Sequence, residues 1–130
     1  MAILIDGWNL IRCEGSGFTD ENEDALDSAR ALISYLERFQ ETHNDPIILV
    51  FDSTNEFLDT GYRSNDKLKV VASRNADDYI KRYVDDAPER QRRNIRVVSS
   101  DGGIYYYVRS AGALPMRSAE FWRRLNRCSS

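Results

Sequence analysis

Residues 47–52 read Ile-Ile-Leu-Val-Phe-Asp, five consecutive apolar residues followed by an acid. An apolar run of this length, with no polar residue on either face, is typical of a central strand in a parallel sheet covered by helices on both sides. Two further runs end in the same way: ILI at 3–5 precedes Asp6, and VVSS at 97–100 precedes Asp101. The shared pattern predicts an α/β domain in which several strands end at aspartates.

Helical and strand patterns alternate outward from this run. Between 23 and 42, apolar residues recur at steps of three and four, which predicts an amphipathic helix. The remaining patterns predict strands at 1–6, 67–73, 95–99 and 113–116, a short helix or turn at 7–11, and helices at 76–87, 102–111 and 118–127. This order, β-α-β-β-α-β-α-β-α, favours a mostly parallel sheet with helices on both faces in a single domain spanning 1–130.

Three local signals refine these boundaries. The polar stretches 14–22 and 53–66 predict loops. Gly112 is expected to end the helix at 102–111, because glycine readily adopts the left-handed conformation found after helices. Ser118 is expected to be the N-cap of the last helix.

Composition excludes several classes of protein. No apolar run is long enough to cross a membrane, and the first residues lack the basic segment and cleavage site of a secretory leader, so a cytoplasmic location is expected. Cys13 and Cys128 are the only cysteines and His43 is the only histidine. These residues do not form a zinc pattern, and a Ser-His or Cys-His nucleophile is improbable with His43 in a polar connection.

The charge is unevenly distributed along the chain. Residues 1–62 contain three Lys and Arg residues against 13 Asp and Glu residues, whereas 63–130 contain 15 against eight; the net charges of −10 and +7 give the total of −3. This asymmetry is compatible with an acidic metal site beside a basic substrate track, and equally with charges that segregate on solvated helices.

The aspartates at the strand ends predict a metal site. Carboxyl ends of parallel strands share one edge of the sheet, and ligands bind there at the point where the strand order reverses. A fourth acid enters from the helix at 76–87: by helical phase, Asp77 lies beside the buried stripe and Asp78 points nearly opposite. Converging carboxylates repel one another, and a hard divalent cation such as Mg²⁺ resolves that repulsion.

Each aspartate also has a structural interpretation, as a turn residue or as an acid near a helix N-terminus. Four such positions on one expected edge favour the metal site. The pattern alone does not separate a nuclease from a phosphatase.

Four motifs resemble a known family. Residues 5–11 (IDGWNLI), 50–52 (VFD), 76–80 (ADDYI) and 97–101 (VVSSD) follow the order and spacing of the NYN domain motifs. The sequence is most similar to the YacP-like branch of that domain, within the PIN-like nuclease superfamily. The resemblance covers essentially the whole chain.

The resemblance implies strand order 3-2-1-4-5, with Asp6 beside Asp101, and RNA cleavage that depends on Mg²⁺ or Mn²⁺. It implies catalytic and metal-ligand positions at Asp6, Asp77 and Asp101, an Asp78 that acts through water, and an Asn9 that orients a ligand or phosphate. Asp52 is expected behind the direct ligands. The implied partner is RNA (mRNA, tRNA or rRNA), with ribosome association and a monomer or weak homodimer among the expectations.

Candidate RNA contacts follow from charge and position. They are Arg63, Lys67, Arg74, Lys81 and Arg82 around the ADD motif, Ser99 and Ser100 before Asp101, and more weakly Arg90, Arg92, Arg93 and Arg96. The tyrosines at 105–107 suggest base stacking as one interpretation, but packing of one ring in the core, with exposed neighbours, is preferred.

Two alternatives to an endoribonuclease remain open. A metal-dependent phosphatase acting on a small molecule needs an enclosed pocket, and the sequence has no Gly-rich phosphate loop or DxD nucleophile motif. A non-catalytic RNA- or ribosome-binding module is disfavoured by the full set of acids. The nuclease hypothesis predicts that the carboxylates of Asp6, Asp77 and Asp101 converge within reach of one metal ion.

Overall fold

The computed structural model describes residues 1–13, 25–52 and 64–128. The strands are β1 (Ala2–Asp6), β2 (Ile47–Asp52), β3 (Leu68–Ser73), β4 (Ile95–Val98) and β5 (Leu114–Met116). The helices are α1 (Gly7–Arg12), α2 (Ala25–Thr42), α3 (Ala76–Asp86), α4 (Glu89–Arg92), α5 (Gly102–Ala111) and α6 (Ser118–Cys128). The loop predicted at 14–22 and most of the loop predicted at 53–66, including Arg63, lie outside the described residues.

The five strands form one parallel sheet in the order β3-β2-β1-β4-β5, which confirms the expected fold class and strand order. In the register, Ile5 pairs with Leu49 of β2 on one side and with Val98 of β4 on the other. The chain therefore moves outward from β1 to β3, then returns to the other side of β1. This reversal creates a switch point between β1 and β4, directly after Asp6 and Val98.

Apolar side chains cover both faces of the sheet, as the continuous apolar strands predict. On one face, α1, α2 and α6 pack over Ile5 and Leu49, and the buried Trp122 donates a hydrogen bond to the Leu10 carbonyl (2.6 Å). On the other face, α3 and α5 pack over Leu4 and Val50. Helices thus cover both faces of the sheet, and the segments that follow the strands lie at its carboxyl edge.

Helix α5 begins and ends where the sequence predicts. Gly112 has φ of 95°, a left-handed conformation that disfavours residues with a Cβ. Its N–H donates to the Arg109 carbonyl, which ends the helix and turns the chain into β5.

Two features differ from the expectations. The short helix α4 was not predicted; Arg92 in it donates to the carbonyls of Asp85, Ala87 and Ala111, and so joins α3 to α5. The N-cap assignment of Ser118 was wrong. Ser118 is the first residue of α6, and the Arg117 carbonyl accepts the first helical hydrogen bond, from Phe121 N–H.

No helix in the described ranges is long and apolar enough to span a membrane.

Candidate active site at the carboxyl edge of the sheet

An acidic cleft of about 490 Å³ lies where β1 and β2 end and α3 begins. Its walls combine carboxylates with aromatic, amide and basic side chains, contributed by Asp6, Trp8, Asn9, Arg12, Cys13, Asp52, Ala76, Asp77 and Ser100. We call this feature the acidic cleft. It lies at the edge of the sheet on which the strand-end aspartates were expected to meet.

Asp6 is the most deeply placed acid of the acidic cleft, with only 9% of its surface exposed. Its pKa is raised from 3.8 to about 6, chiefly by burial; the nearby backbone N–H of Asn9 opposes the rise, and the negative charges of Asp77, Asp101 and Asp52 contribute to it. The charges of these three acids therefore act on the Asp6 carboxyl group, although the residues come from distant parts of the chain.

Asp77 enters the acidic cleft from the first turn of α3. The Asn75 side chain caps this helix by accepting the Asp78 N–H (3.0 Å), which fixes the turn that carries Asp77. Partial burial and the charge of Asp101 raise the Asp77 pKa, with Lys81 opposing them and Asp52 adding a smaller increase. Asp77 is thus directed to the carboxylates, as its helical phase predicts.

Asp101 is the N-cap of α5. Its Oδ1 accepts the Ile104 N–H (3.1 Å), and its own N–H donates to the Ser99 hydroxyl (3.1 Å). Asp101 raises the pKa of both Asp6 and Asp77, so its charge lies near both. Capping engages one of its carboxylate oxygens and fixes the orientation of the group.

Asn9 connects three elements around the acidic cleft. Its Oδ1 accepts hydrogen bonds from the Ser100 N–H (2.8 Å) and from the Ser118 hydroxyl (2.7 Å). The Ser100 hydroxyl in turn accepts the Ser118 N–H (3.1 Å). This network binds α1 to the end of β4 and the start of α6. It explains why the fully buried Ser118 does not act as a helix cap.

Trp8 and Arg12 are cleft residues that the sequence reasoning missed. The indole N–H of Trp8 donates to the Asp52 carbonyl (2.7 Å), and its ring packs against Phe51 with 4.7 Å between ring centres. The Arg12 guanidinium lies 5.7 Å from the centre of the Trp8 ring. Their spacing of four residues, which places them on one side of α1, was the available signal.

Asp78 lies outside the acidic cleft. It is exposed and forms an ion pair with Arg82 (3.2 Å) one helical turn later. Both residues line a separate recess of about 370 Å³. The same helical phase that directs Asp77 inward explains this position.

Some predicted RNA contacts are placed elsewhere. Lys67 precedes β3 at the amino edge of the sheet, where its carbonyl accepts the Ile47 N–H, so it faces away from the acidic cleft. Ser99 is 1% exposed and holds Asp101, so its side chain is not accessible to a nucleic acid. Arg74 is exposed just beyond β3, and Ser100 lines the cleft. Arg63 lies outside the described residues.

The preferred interpretation of the tyrosines, with one ring in the core, was wrong. Tyr105 is half-buried, and Tyr106 (58% exposed) and Tyr107 are exposed. The Tyr107 hydroxyl donates to Asp85, and Lys81 lies 5.1 Å from the centre of the Tyr107 ring. The core side of α5 is occupied instead by Ile104 and Val108, because these aliphatic residues share its buried stripe.

The donor set suits a hard divalent cation. Carboxylate oxygens are the ligands that Mg²⁺ and Mn²⁺ prefer. In the described ranges, Asp6, Asp77 and Asp101 form no ion pair that would neutralise them. Also among those residues, no three acidic, cysteine or histidine side chains lie close enough to hold a metal ion as they stand. The carboxylates are therefore neighbours electrostatically, and their convergence on one ion stays a prediction.

Comparison with known proteins adds a family and a fold. The family model of the YacP-like NYN domain matches residues 3–130. The crystal structure of Rae1 (YacP) from Bacillus subtilis is similar with a TM-score of 0.77 and 21% identity, covering 99% of this chain and 75% of that one. The crystal structure of the W164L mutant of that protein is similar with a TM-score of 0.77 and 20% sequence identity, covering 98% of this chain and 76% of the mutant chain. No curated protein matches the sequence.

Proposed function

The chain belongs to the YacP-like NYN domain family, with a PIN-like nuclease fold, and we propose that it is a metal-dependent endoribonuclease. It would hydrolyse phosphodiester bonds of RNA at the acidic cleft, with Mg²⁺ or Mn²⁺ held by aspartates. The observation that carries this proposal is the buried Asp6 carboxyl, whose pKa of about 6 reflects both burial and the charges of three other acids.

A buried carboxylate close to other acids lowers the stability of the fold unless a cation compensates the negative charges. Near neutral pH, Asp6 is ionised while buried beside Asp77 and Asp101, and each like charge in this set disfavours the others. No cationic side chain in the described ranges forms an ion pair with them. The uncompensated negative charges therefore suit the site to binding a divalent cation.

The proposed ligands are Asp6, Asp77 and Asp101, with Asp52 behind them. When bound, a divalent cation supplies positive charge for the phosphodiester oxygens and lowers the pKa of a water nucleophile. In the overall reaction, water adds to phosphorus and one P–O ester bond breaks, which leaves a phosphate monoester on one fragment and a hydroxyl group on the other.

The surrounding residues position this machinery. Ser99 and the N-cap bond hold Asp101, and Asn9 fixes the Ser100 backbone beside the acidic cleft. Arg12 is the basic residue among the cleft-lining side chains and offers a phosphate contact. RNA in the cytoplasm is the proposed substrate, and association with the ribosome is a further expectation for this family.

The test is incubation of purified protein with RNA and Mn²⁺ or Mg²⁺, followed by separation of the fragments on a gel. Asp6→Asn, Asp77→Asn and Asp101→Asn should each reduce the cleavage rate by about 100-fold or more, because each removes a proposed ligand. Asp78→Asn is the matched control: it changes the adjacent acid of the same helix turn, outside the cleft, and should lose less than about tenfold.

Other outcomes would point elsewhere. Equal cleavage by the wild type and all variants would indicate a contaminating nuclease. Hydrolysis of a small phosphomonoester without RNA cleavage would favour the phosphatase, and metal-independent RNA binding without cleavage would favour a non-catalytic module.

A further inference from the structure

Two pairs of a cationic and an aromatic side chain lie at the carboxyl edge of the sheet. In the first, the Arg12 guanidinium is 5.7 Å from the centre of the Trp8 ring. In the second, the Arg117 guanidinium is 4.3 Å from the centre of the Tyr105 ring. Both distances lie within the range of cation–π attraction. We call them the Trp8 pair and the Tyr105 pair.

The pairs lie on opposite sides of the aspartates. The Trp8 pair is anchored to the end of β2 by the indole bond to Asp52, and Arg117 directly follows β5. Since β1 and β4 lie between β2 and β5, the strands that carry Asp6 and lead to Asp101 separate the pairs. The strands β2 and β5 are three inter-strand spacings of about 4.8 Å each apart.

The aromatic residues of the two pairs also belong to helices on opposite faces of the sheet. Trp8 packs against the core cluster of α1, α2 and α6, whereas Tyr105 belongs to α5, which covers the other face. A chain that contacts both pairs must therefore cross the carboxyl edge, past the end of β1 that carries Asp6 and the end of β4 that leads to Asp101. A linear polymer that follows this path would bring a linkage from its middle to the carboxylates.

Resting on the nuclease function proposed above, we propose that the two pairs bind unpaired RNA bases on either side of the phosphodiester bond that is cleaved. Aromatic faces stack on bases of any sequence, and a guanidinium over such a ring binds the adjoining phosphate or extends the stack. Stacking requires a base that is free of its complement, so the two pairs select single-stranded RNA.

The side chains are available for this role. Trp8 and Tyr105 are half-buried, with rings fixed by their neighbours, and Tyr106 lies edge-on to Tyr105 with 5.4 Å between ring centres. Within the described residues, neither Arg12 nor Arg117 forms an ion pair, and both are exposed. Each pair therefore offers a held aromatic surface together with an uncompensated positive charge, which complements an anionic, base-bearing strand.

The first test uses tryptophan fluorescence in EDTA, where metal-dependent cleavage does not occur. Trp8 lines the cleft and Trp122 is buried, so a short single-stranded oligouridine should quench the emission of Trp8 alone. The Trp8→Phe protein, which retains only Trp122, should show little change on addition of the same RNA. A duplex of matched length should quench the wild type weakly, because its bases are already paired.

The second test measures binding of the same oligouridine, fluorescently labelled, by anisotropy. Arg12→Gln and Tyr105→Leu, one from each pair, should each raise Kd about tenfold, and the double variant should lose both contributions. Arg38→Gln on α2 is the matched control for loss of one exposed positive charge and should change Kd less than about twofold. Arg117→Gln provides a second variant of the Tyr105 pair if Tyr105→Leu alters folding.

Failure of this proposal is distinguishable from failure of the nuclease. Unchanged binding in both pair variants, or equal quenching by duplex and single strand, would overturn base stacking even if the wild type cleaves RNA. Quenching and weakened variant binding without any cleavage in Mn²⁺ would support the stacking sites and overturn the nuclease function.

Discussion

The carboxyl group of Asp6 shows how a single residue can be unfavourable for folding and suited to function. It is buried at the end of β1, and the charges of Asp77, Asp101 and Asp52 act on it. An aspartate with a pKa of about 6 is stabilised in its protonated form by the fold and destabilised in its ionised form. A bound cation would reverse this preference.

The pH dependence of stability without metal follows from that pKa. Between the ordinary value of 3.8 and about 6, the folded protein binds more protons at Asp6 than the unfolded chain does. The stability contribution is therefore highest at low pH, falls as pH rises through this window, and stays reduced above it. Asp6→Asn should raise the free energy of unfolding by about 2 kcal/mol near pH 7.5 and by little near pH 4.

Urea denaturation in EDTA at both pH values measures this difference. Asp27→Asn, on the exposed side of α2, is the control and should change stability little at either pH. An Asp6→Asn protein with the same pH dependence as the wild type would contradict the argument.

Among the elements, α1 determines the shape of the acidic cleft because it leaves β1 immediately after Asp6. Gly7 makes this turn possible: a Cβ at this position would lie 2.5 Å from Cε1 of the buried Phe51. Close packing of α1 on β2 also places Trp8 on Phe51 and brings its indole to Asp52. The positions of Trp8 and Asp52 in the cleft therefore depend on the absence of a Cβ at Gly7.

Gly7→Ala should lower the free energy of unfolding by about 2 kcal/mol, because the fully buried Phe51 ring would have to shift within the core to admit the added methyl group. Gly102→Ala is the control. Gly102 opens α5, and a Cβ at this position would meet no atom within 4 Å, so the change should be neutral or stabilising by up to about 1 kcal/mol. Thermal denaturation of the two variants tests the difference, and equal stability would show that α1 can shift without cost.

At the scale of the whole molecule, parallel topology brings charges from distant segments to one edge. The acids come from the ends of β1 and β2 and from the starts of α3 and α5. A cation at this edge would connect four elements from both sequence halves. Its binding should therefore stabilise the entire fold.

Mn²⁺ at about 100 times its Kd should raise the free energy of unfolding by about 2.7 kcal/mol, since binding to the folded state alone shifts the equilibrium. The gain should disappear in Asp77→Asn and persist in Asp78→Asn, because only Asp77 lines the acidic cleft. Differential scanning fluorimetry with and without EDTA measures it. An equal gain in both variants would place the ion outside the cleft.

Features that depend on local periodicity could be predicted from the order of the amino acids. Apolar runs ending in Asp6 and Asp52 identified the ends of β1 and β2, and the run before Asp101 identified β4, which ends at Val98, three residues before the Asp101 helix cap. The 3.6-residue period separated Asp77 from Asp78 correctly. The motif series identified the family and, through it, the strand order. The start of the strand at 67–73 already placed Lys67 at the amino edge, although its nearness to the ADD motif in sequence favoured a contact with RNA.

Contacts between side chains that are distant in sequence depend instead on the folded arrangement of the elements. Asn9 and Ser118 are 109 residues apart in sequence, and Trp8 and Asp52 are 44 apart, yet each pair is joined by a hydrogen bond. Such contacts depend on strand order and on the packing of helices across the sheet, and no local pattern encodes them. The aspartates were predictable because each ends a strand or begins a helix, whereas the cation–aromatic pairs beside them arise where separate elements come together.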